Sequence, residues 1–246
     1  MKNRLLVLGL AFTMFAATAC GTSSDDGNKT SKADKTVTAT PNSDKTSETQ
    51  KNDDKKDDAK ESYKSADDIT MDDLKNHEET PAEDFKYRDK SNGEAVIKEY
   101  TGDDPIVVIP NEIDGKKVVD FGKIFTNNKD IVAVRVGDNV ENIKEGAFGN
   151  CDNLKYIILG KNVKVFEHGN VGGKKFEQLE LNDGLEQLGE EGTSGAVIIL
   201  NKDKVEVKIP ESVNHMAFTG AKTLIVKAGS YAESFAKEHN MDYRVE

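Results

Sequence analysis

The stretch Val140-Glu141-Asn142-Ile143-Lys144-Glu145-Gly146-Ala147-Phe148-Gly149-Asn150-Cys151-Asp152-Asn153-Leu154 decides how this chain folds. Just before it stand Val134 and Val136, then the turn-forming run Gly137-Asp138-Asn139 leading into Val140. A spacing of two puts both valines on one side of a strand. The four-residue step to Val140 passes through residues that favour turns, and Ile143 follows as a second apolar anchor. Working outward, the same rhythm of two and then four recurs. It is found at Val107, Ile109, Ile113; at Ile157, Leu159, Val163; at Leu179, Leu181, Leu185; and at Val207, Ile209, Val213. Turn chemistry fills each step, as Pro110-Asn111, Gly160-Lys161-Asn162, Asn182-Asp183-Gly184 and Pro210-Glu211-Ser212. Later copies of the anchor are Phe166, Leu188 and Met216. The middle residues of successive triplets lie 27, 23, 22 and 28 positions apart. A period in this range is the mark of a solenoid, in which each unit buries its apolar side against its neighbours.

Residues 140–154 closely resemble the BspA-type bacterial leucine-rich repeat. That repeat carries an isoleucine, then Ala-Phe, a small residue, Asn or Ser before Cys, and a Leu that opens the next strand. Ile124-Phe125 and Ala217-Phe218 look like degenerate copies of the Ala-Phe element, whereas Asn170-Val171 and Gly192-Thr193 depart from it, so irregular outer turns are expected there. The resemblance implies a curved α/β solenoid with one short strand per repeat and mostly non-helical outer turns. It also implies a surface protein that attaches to host matrix proteins, other bacteria or the cell's own envelope.

Both ends of the array read as caps. Phe85-Lys86-Tyr87 and Ala95-Val96-Ile97-Lys98-Glu99-Tyr100 flank Ser91-Asn92-Gly93, the pattern of a hairpin. Ser230-Tyr231-Ala232-Glu233 has capping-box spacing and opens a single C-terminal helix, with Tyr231 and Phe235 on one side of it. Met241-Asp242-Tyr243-Arg244-Val245 alternates as a closing strand. The solenoid is therefore expected over 85–246. Upstream, 20–84 reads as a disordered linker: from 21 to 64 only Val37 and Tyr63 carry sizeable apolar side chains. Within it, Thr70-Met71-Asp72-Asp73 has capping-box spacing and suggests a short helix to His77 with Leu74 on its apolar side.

Residues 1–19 have the three parts of a secretory signal: Lys2 and Arg4, an apolar stretch from residue 5 to 16, then Ala17-Thr18-Ala19. Ala17-Thr18-Ala19-Cys20 resembles a lipobox, with Ala where Leu is usual. Cys20 is thus expected to carry a diacylglyceryl group that anchors the mature chain to a bacterial membrane, exposed at the cell surface.

Charge and chemistry narrow the functional classes. The net charge of −11 divides as +2 over 1–20, −8 over 21–84 and −5 over 85–246, which argues against a nucleic-acid partner. His77, His168, His215 and His239 lack metal-ligand spacing. The run Gly169-Asn170-Val171-Gly172-Gly173-Lys174-Lys175 is not a phosphate loop, and Gly192-Thr193-Ser194-Gly195 is not a nucleophile elbow. Cys151 sits at a core position of the repeat. No catalytic constellation, metal site or cofactor is expected, and the chain reads as non-catalytic. Binding remains. By the period-two rule the residues between buried strand positions point outward. They are Arg135, Tyr156, Ile158, Gln178, Glu180, Glu206 and Lys208, the candidate face for a protein or glycan partner. An envelope scaffold is the first alternative, and a transporter's solute-binding lipoprotein the second.

Overall fold

The structure is a computed structural model that describes residues 65–190 and 195–246. The signal segment, Cys20, most of the linker and the Gly192-Thr193 and Ser194 positions lie outside the described residues.

The chain runs through α1 (Met71–Asn76), β1 (Phe85–Asp89), β2 (Ala95–Tyr100), β3 (Ile106–Val108), β4 (Glu112–Ile113) and β5 (Lys116–Phe121). The middle repeats supply β6 (Ala133–Arg135), β7 (Asn142–Ile143), β8 (Tyr156–Ile158), β9 (Val165–Phe166) and β10 (Gly169–Val171). Next come β11 (Gln178–Glu180), β12 (Gln187–Leu188), β13 (Val197–Ile199), β14 (Glu206–Lys208), β15 (His215–Met216) and β16 (Phe218–Thr219). The chain closes with β17 (Thr223–Val226), α2 (Tyr231–Glu238) and β18 (Tyr243–Val245).

These strands stack into a leucine-rich-repeat solenoid, because each turn of chain places the same residue type over its own copy. On the first face Val107 pairs with Val134, Val134 with Ile157 and Ile157 with Leu179, all parallel. On the second, Phe121, Ile143, Phe166, Leu188 and Met216 stack in the same way through β5, β7, β9, β12 and β15. The triplets identified by spacing are buried in this core, with Leu181 only partly so.

The expected single strand per repeat is corrected: each turn carries two, and the C-terminal half adds a third track of β10, β13 and β16. Val171 there pairs with Ile199, and Val197 with Phe218. Where the outer turn was expected to be irregular, at Asn170-Val171, it is a strand. Branched and aromatic side chains at Val171, Val197, Ile199 and Phe218 fill the core on that side, and pairing between turns satisfies the backbone.

Two ladders hold the turns in register. Phe85, Tyr100, Phe125, Phe148 and Phe166 form a column with successive ring centroids 5.3 to 5.9 Å apart. Phe148, from the Ala-Phe element, and Phe125, from its degenerate copy, are fully buried in it. At the turn after the first strand, amides reach back to the backbone one turn earlier. Asn139 Nδ2 donates to the Asn111 carbonyl (3.1 Å), Asn162 Nδ2 to Asp138 (2.8 Å), and Asn182 Nδ2 to Lys161 (3.0 Å). Ser212 continues the series, its hydroxyl donating to Leu185 at 2.6 Å. Gly160 is required because a Cβ there would collide with the Gly137 carbonyl.

The caps form as the sequence suggests. β1 and β2 are an antiparallel hairpin, and β2 runs parallel to β5, so this cap extends the second face rather than the first. The Ser230 hydroxyl accepts the Glu233 amide of α2, while the Glu233 carboxylate takes the Gly229 amide, one residue earlier than in an ideal box. Ala232, Phe235 and Ala236 are buried against the last core layer, and β18 pairs with β17.

Candidate binding face

The outward side of the first face is where the candidate residues lie, and its two halves differ. In its first half the strands are apolar on both sides. Ile106-Val107-Val108-Ile109 and Ile131-Val132-Ala133-Val134 are continuous buried runs, and Tyr156-Ile157-Ile158-Leu159 is nearly so. A strand covered on both faces needs such a run. The cover is the chain's own segment 65–80.

Ile69 and Leu74 insert onto Ile106, Val132, Ala133 and Tyr156, with Met71 and Ile158 packed alongside. Burying two aliphatic side chains of this size contributes roughly 1.5–3 kcal/mol each. Thr70 and Asp73 cap α1 reciprocally, at 3.2 Å and 2.7 Å, and the Thr70 hydroxyl and then its amide, both donating to the Asp73 carboxylate, hold that carboxyl below the usual range. The face grips main chain as well as side chain. Lys155, only 7 % exposed, donates from Nζ to the Ile69 carbonyl at 3.0 Å, and Arg135 Nη2 donates to the His77 carbonyl at 2.5 Å. Thr80 and Val108 exchange two bonds, amide to carbonyl at 3.0 Å and amide to hydroxyl at 2.9 Å. Ion pairs of Lys75 with Glu180 and Lys175 with Asp67 ring the segment. Residues 65–84 were expected to belong to the linker; this packing makes them an ordered part of the described fold. Two apolar anchors in a polar stretch were too few to show it by periodicity.

In the second half the strands alternate. Gln178 and Glu180 are half-buried, Glu206 and Lys208 are exposed, and Leu179 and Val207 point inward. Here the ladder breaks: β11 pairs only with β8, and β14 only with β17. The break opens a cleft of about 500 Å³ between β11 and β14. Its walls include Glu177, Glu180 and Asp183 from the β11 side and Lys204, Glu206 and Lys208 from the β14 side. Lys208 pairs with Glu246 at 2.6 Å and Glu206 with Arg244 at 3.0 Å. Tyr156 donates its hydroxyl to Glu177 at 2.7 Å, and burial, reinforced by that carboxylate, pushes its pKa up to about 12.

The seven candidate residues therefore divide. Arg135, Tyr156 and Ile158 lie beneath segment 65–80, Tyr156 being only 8 % exposed. Gln178, Glu180, Glu206 and Lys208 line the cleft. Sequence reasoning missed Glu177, Asp183 and Lys204, which meet where the ladder breaks between β11 and β14. The acid-rich cleft suits hydrogen-bonding and cationic groups of a ligand. Cys151 is buried, donates to the Phe125 carbonyl at 2.9 Å, and burial raises its thiol to about 11. Among the described residues, no three His, Cys, Asp or Glu side chains are gathered as metal ligands, and no helix is long and apolar enough to cross a membrane.

No protein-family model and no curated protein matches the sequence. Solved structures do. A leucine-rich-repeat protein of T. pallidum is 24% identical, with 60% of this chain and 71% of that one covered and a TM-score of 0.51. A leucine-rich-repeat protein from Bacteroides capillosus is 20% identical over 59% and 95% of the two chains, at a TM-score of 0.37. A leucine-rich cell surface protein from Faecalibacterium prausnitzii is 15% identical over 58% and 53%, at 0.35. The first of these shares the leucine-rich-repeat fold with this chain.

Proposed function

We propose that the chain is a bacterial cell-surface binding protein, held to the membrane through a lipid on Cys20, whose solenoid takes a protein or glycan partner. The cleft between β11 and β14 carries this reading. It is the part of the strand face left open, and it concentrates polar side chains on a rigid backbone. An extended strand surface is the usual binding side of a solenoid. The Lys2/Arg4, apolar and Cys20 pattern supports the location.

The test is a solid-phase screen of the full chain against matrix proteins, mucin and wall glycans. At least one should be bound, and the cleft variant Asp183→Lys/Glu206→Lys should bind it at least about 10-fold more weakly, a loss of about 1.4 kcal/mol. Absence of any partner, or a partner indifferent to both substitutions, would count against the cleft. Labelling cells with a fatty-acid analogue tests the anchor: Cys20→Ala should take up none.

A further inference from the structure

We infer that residues 65–79 form a force-yielding strap, which peels from the first strands before the solenoid gives way and so lengthens the tether of a protein held at both ends. The load on the strap rests on the proposed membrane anchor and bound partner. The strap itself rests on how this segment is packed.

Three observations lead there. First, the chain ahead of Ser65 continues directly into this segment, so tension on it enters the described fold at Ser65. Second, the segment lies across the turns, and its grips follow one another along the chain. Asp67 is held by Lys175, just before β11, at 3.1 Å, and the Ile69 carbonyl by Lys155, just before β8, at 3.0 Å. The His77 carbonyl is then held by Arg135 of β6, and Thr80 by Val108 of β3. Lys75 reaches back to Glu180 of β11 at 2.9 Å. Grips in series yield one at a time when pulled from one end, whereas the stacked strands beneath share a load across parallel backbone pairing. Third, Ile69 and Leu74 pack on Ile106, Val132, Ala133 and Tyr156 in a cluster separate from the solenoid core. Peeling them away leaves Val107, Val134, Ile157 and Leu179 in their ladder, the condition for a segment to open on its own. The six residues of α1 are too few for a helix to persist off the surface, so the released segment extends as free chain. At about 3.3–3.6 Å per residue, 65–79 adds roughly 50 Å to the tether. Peeling stops at the paired bonds of Thr80 and Val108, behind which the β1–β2 hairpin is locked to β5.

The experiment is optical-tweezers pulling on the full, unacylated chain, with handles on the Cys20 thiol and on Asp183→Cys at the cleft; Cys151 is buried and takes no handle. The chain should show an early step of about 50 Å in contour length, at lower force than the remaining turns, and should recover it when the force is relaxed. Ile69→Asp/Leu74→Asp should lose the early step and keep the later ones. Lys155→Ala should keep the step and lower its force. A single rupture with no early step would overturn the inference, and so would an early step of the same length that persists in Ile69→Asp/Leu74→Asp. Loss of the later steps in that variant would make the segment integral to the solenoid and would equally overturn it. Neither lipid nor ligand takes part in the measurement. A missing early step therefore counts against the strap alone, and a missing partner in the solid-phase screen against the cleft alone.

Discussion

Cys151 shows how far a single residue's role follows from its position in the repeat. The resemblance placed it in the core, and its burial raises the thiol from 9.0 to about 11. The folded state therefore holds this proton more tightly than the unfolded chain does. Stability from it is present below pH 9 and is lost as pH rises toward 11. Tyr100, pushed well above its usual range by burial, acts in the same sense at higher pH. Melting temperature should fall between pH 9 and 11, and Cys151→Ala should remove part of that slope. Two other positions test the stacking itself. Phe148→Ala empties a site in the ring column and should cost about 3–5 kcal/mol in chemical denaturation. Gly160→Ala drives a methyl into the carbonyl of the turn below and should cost about 1–3 kcal/mol. Phe148 was legible as a core residue from its motif. The demand on Gly160 was not, since it arises from a turn more than twenty residues away in sequence.

Among the elements, α1 and β10 make opposite points. The capping box of α1 was readable because Thr70 and Asp73 are local partners. What α1 covers was not readable from its own sequence, and the signal lay instead in the continuous apolar runs of the strands beneath it. Thr70→Ala should loosen α1 by about 1 kcal/mol. Hydrogen exchange should then speed up in residues 70–77 while the amides of β7, β9 and β12 keep their protection. β10 lacks the motif that marks its counterparts in earlier repeats, and it becomes a strand because β13 offers Val197, Ile198 and Ile199 in register. Strand formation there is a property of the neighbour as much as of the segment.

For the whole molecule, stability is a sum over neighbouring turns, so the ends matter more than their size suggests. Ending the chain at Gly229 would remove Ala232, Phe235 and Ala236 from the last layer and expose Leu224 and Val226. The shortened protein should melt at lower temperature and form higher-order species in size-exclusion chromatography. Ion pairs also repeat along the outer turns, among them Lys123–Glu145, Lys144–Glu167 and Lys164–Glu186. Lys123–Glu145 and Lys164–Glu186 are exposed on both sides, and such pairs contribute about 0–1 kcal/mol each, whereas Glu167 is partly buried.

The sequence by itself determined the repeat, its core positions, both caps and the side of each strand that faces outward. Each of these depends on residues close together in the chain, through the two-residue period of a strand, turn chemistry and capping. Only the tertiary structure decided which outward residues are free. Segment 65–80 returns over the first strands and covers Arg135, Tyr156 and Ile158, and the ladder breaks between β11 and β14 beside Gln178, Glu180, Glu206 and Lys208. Both outcomes come from packing between distant segments, where apolar burial and strand pairing are won or lost without a local signature.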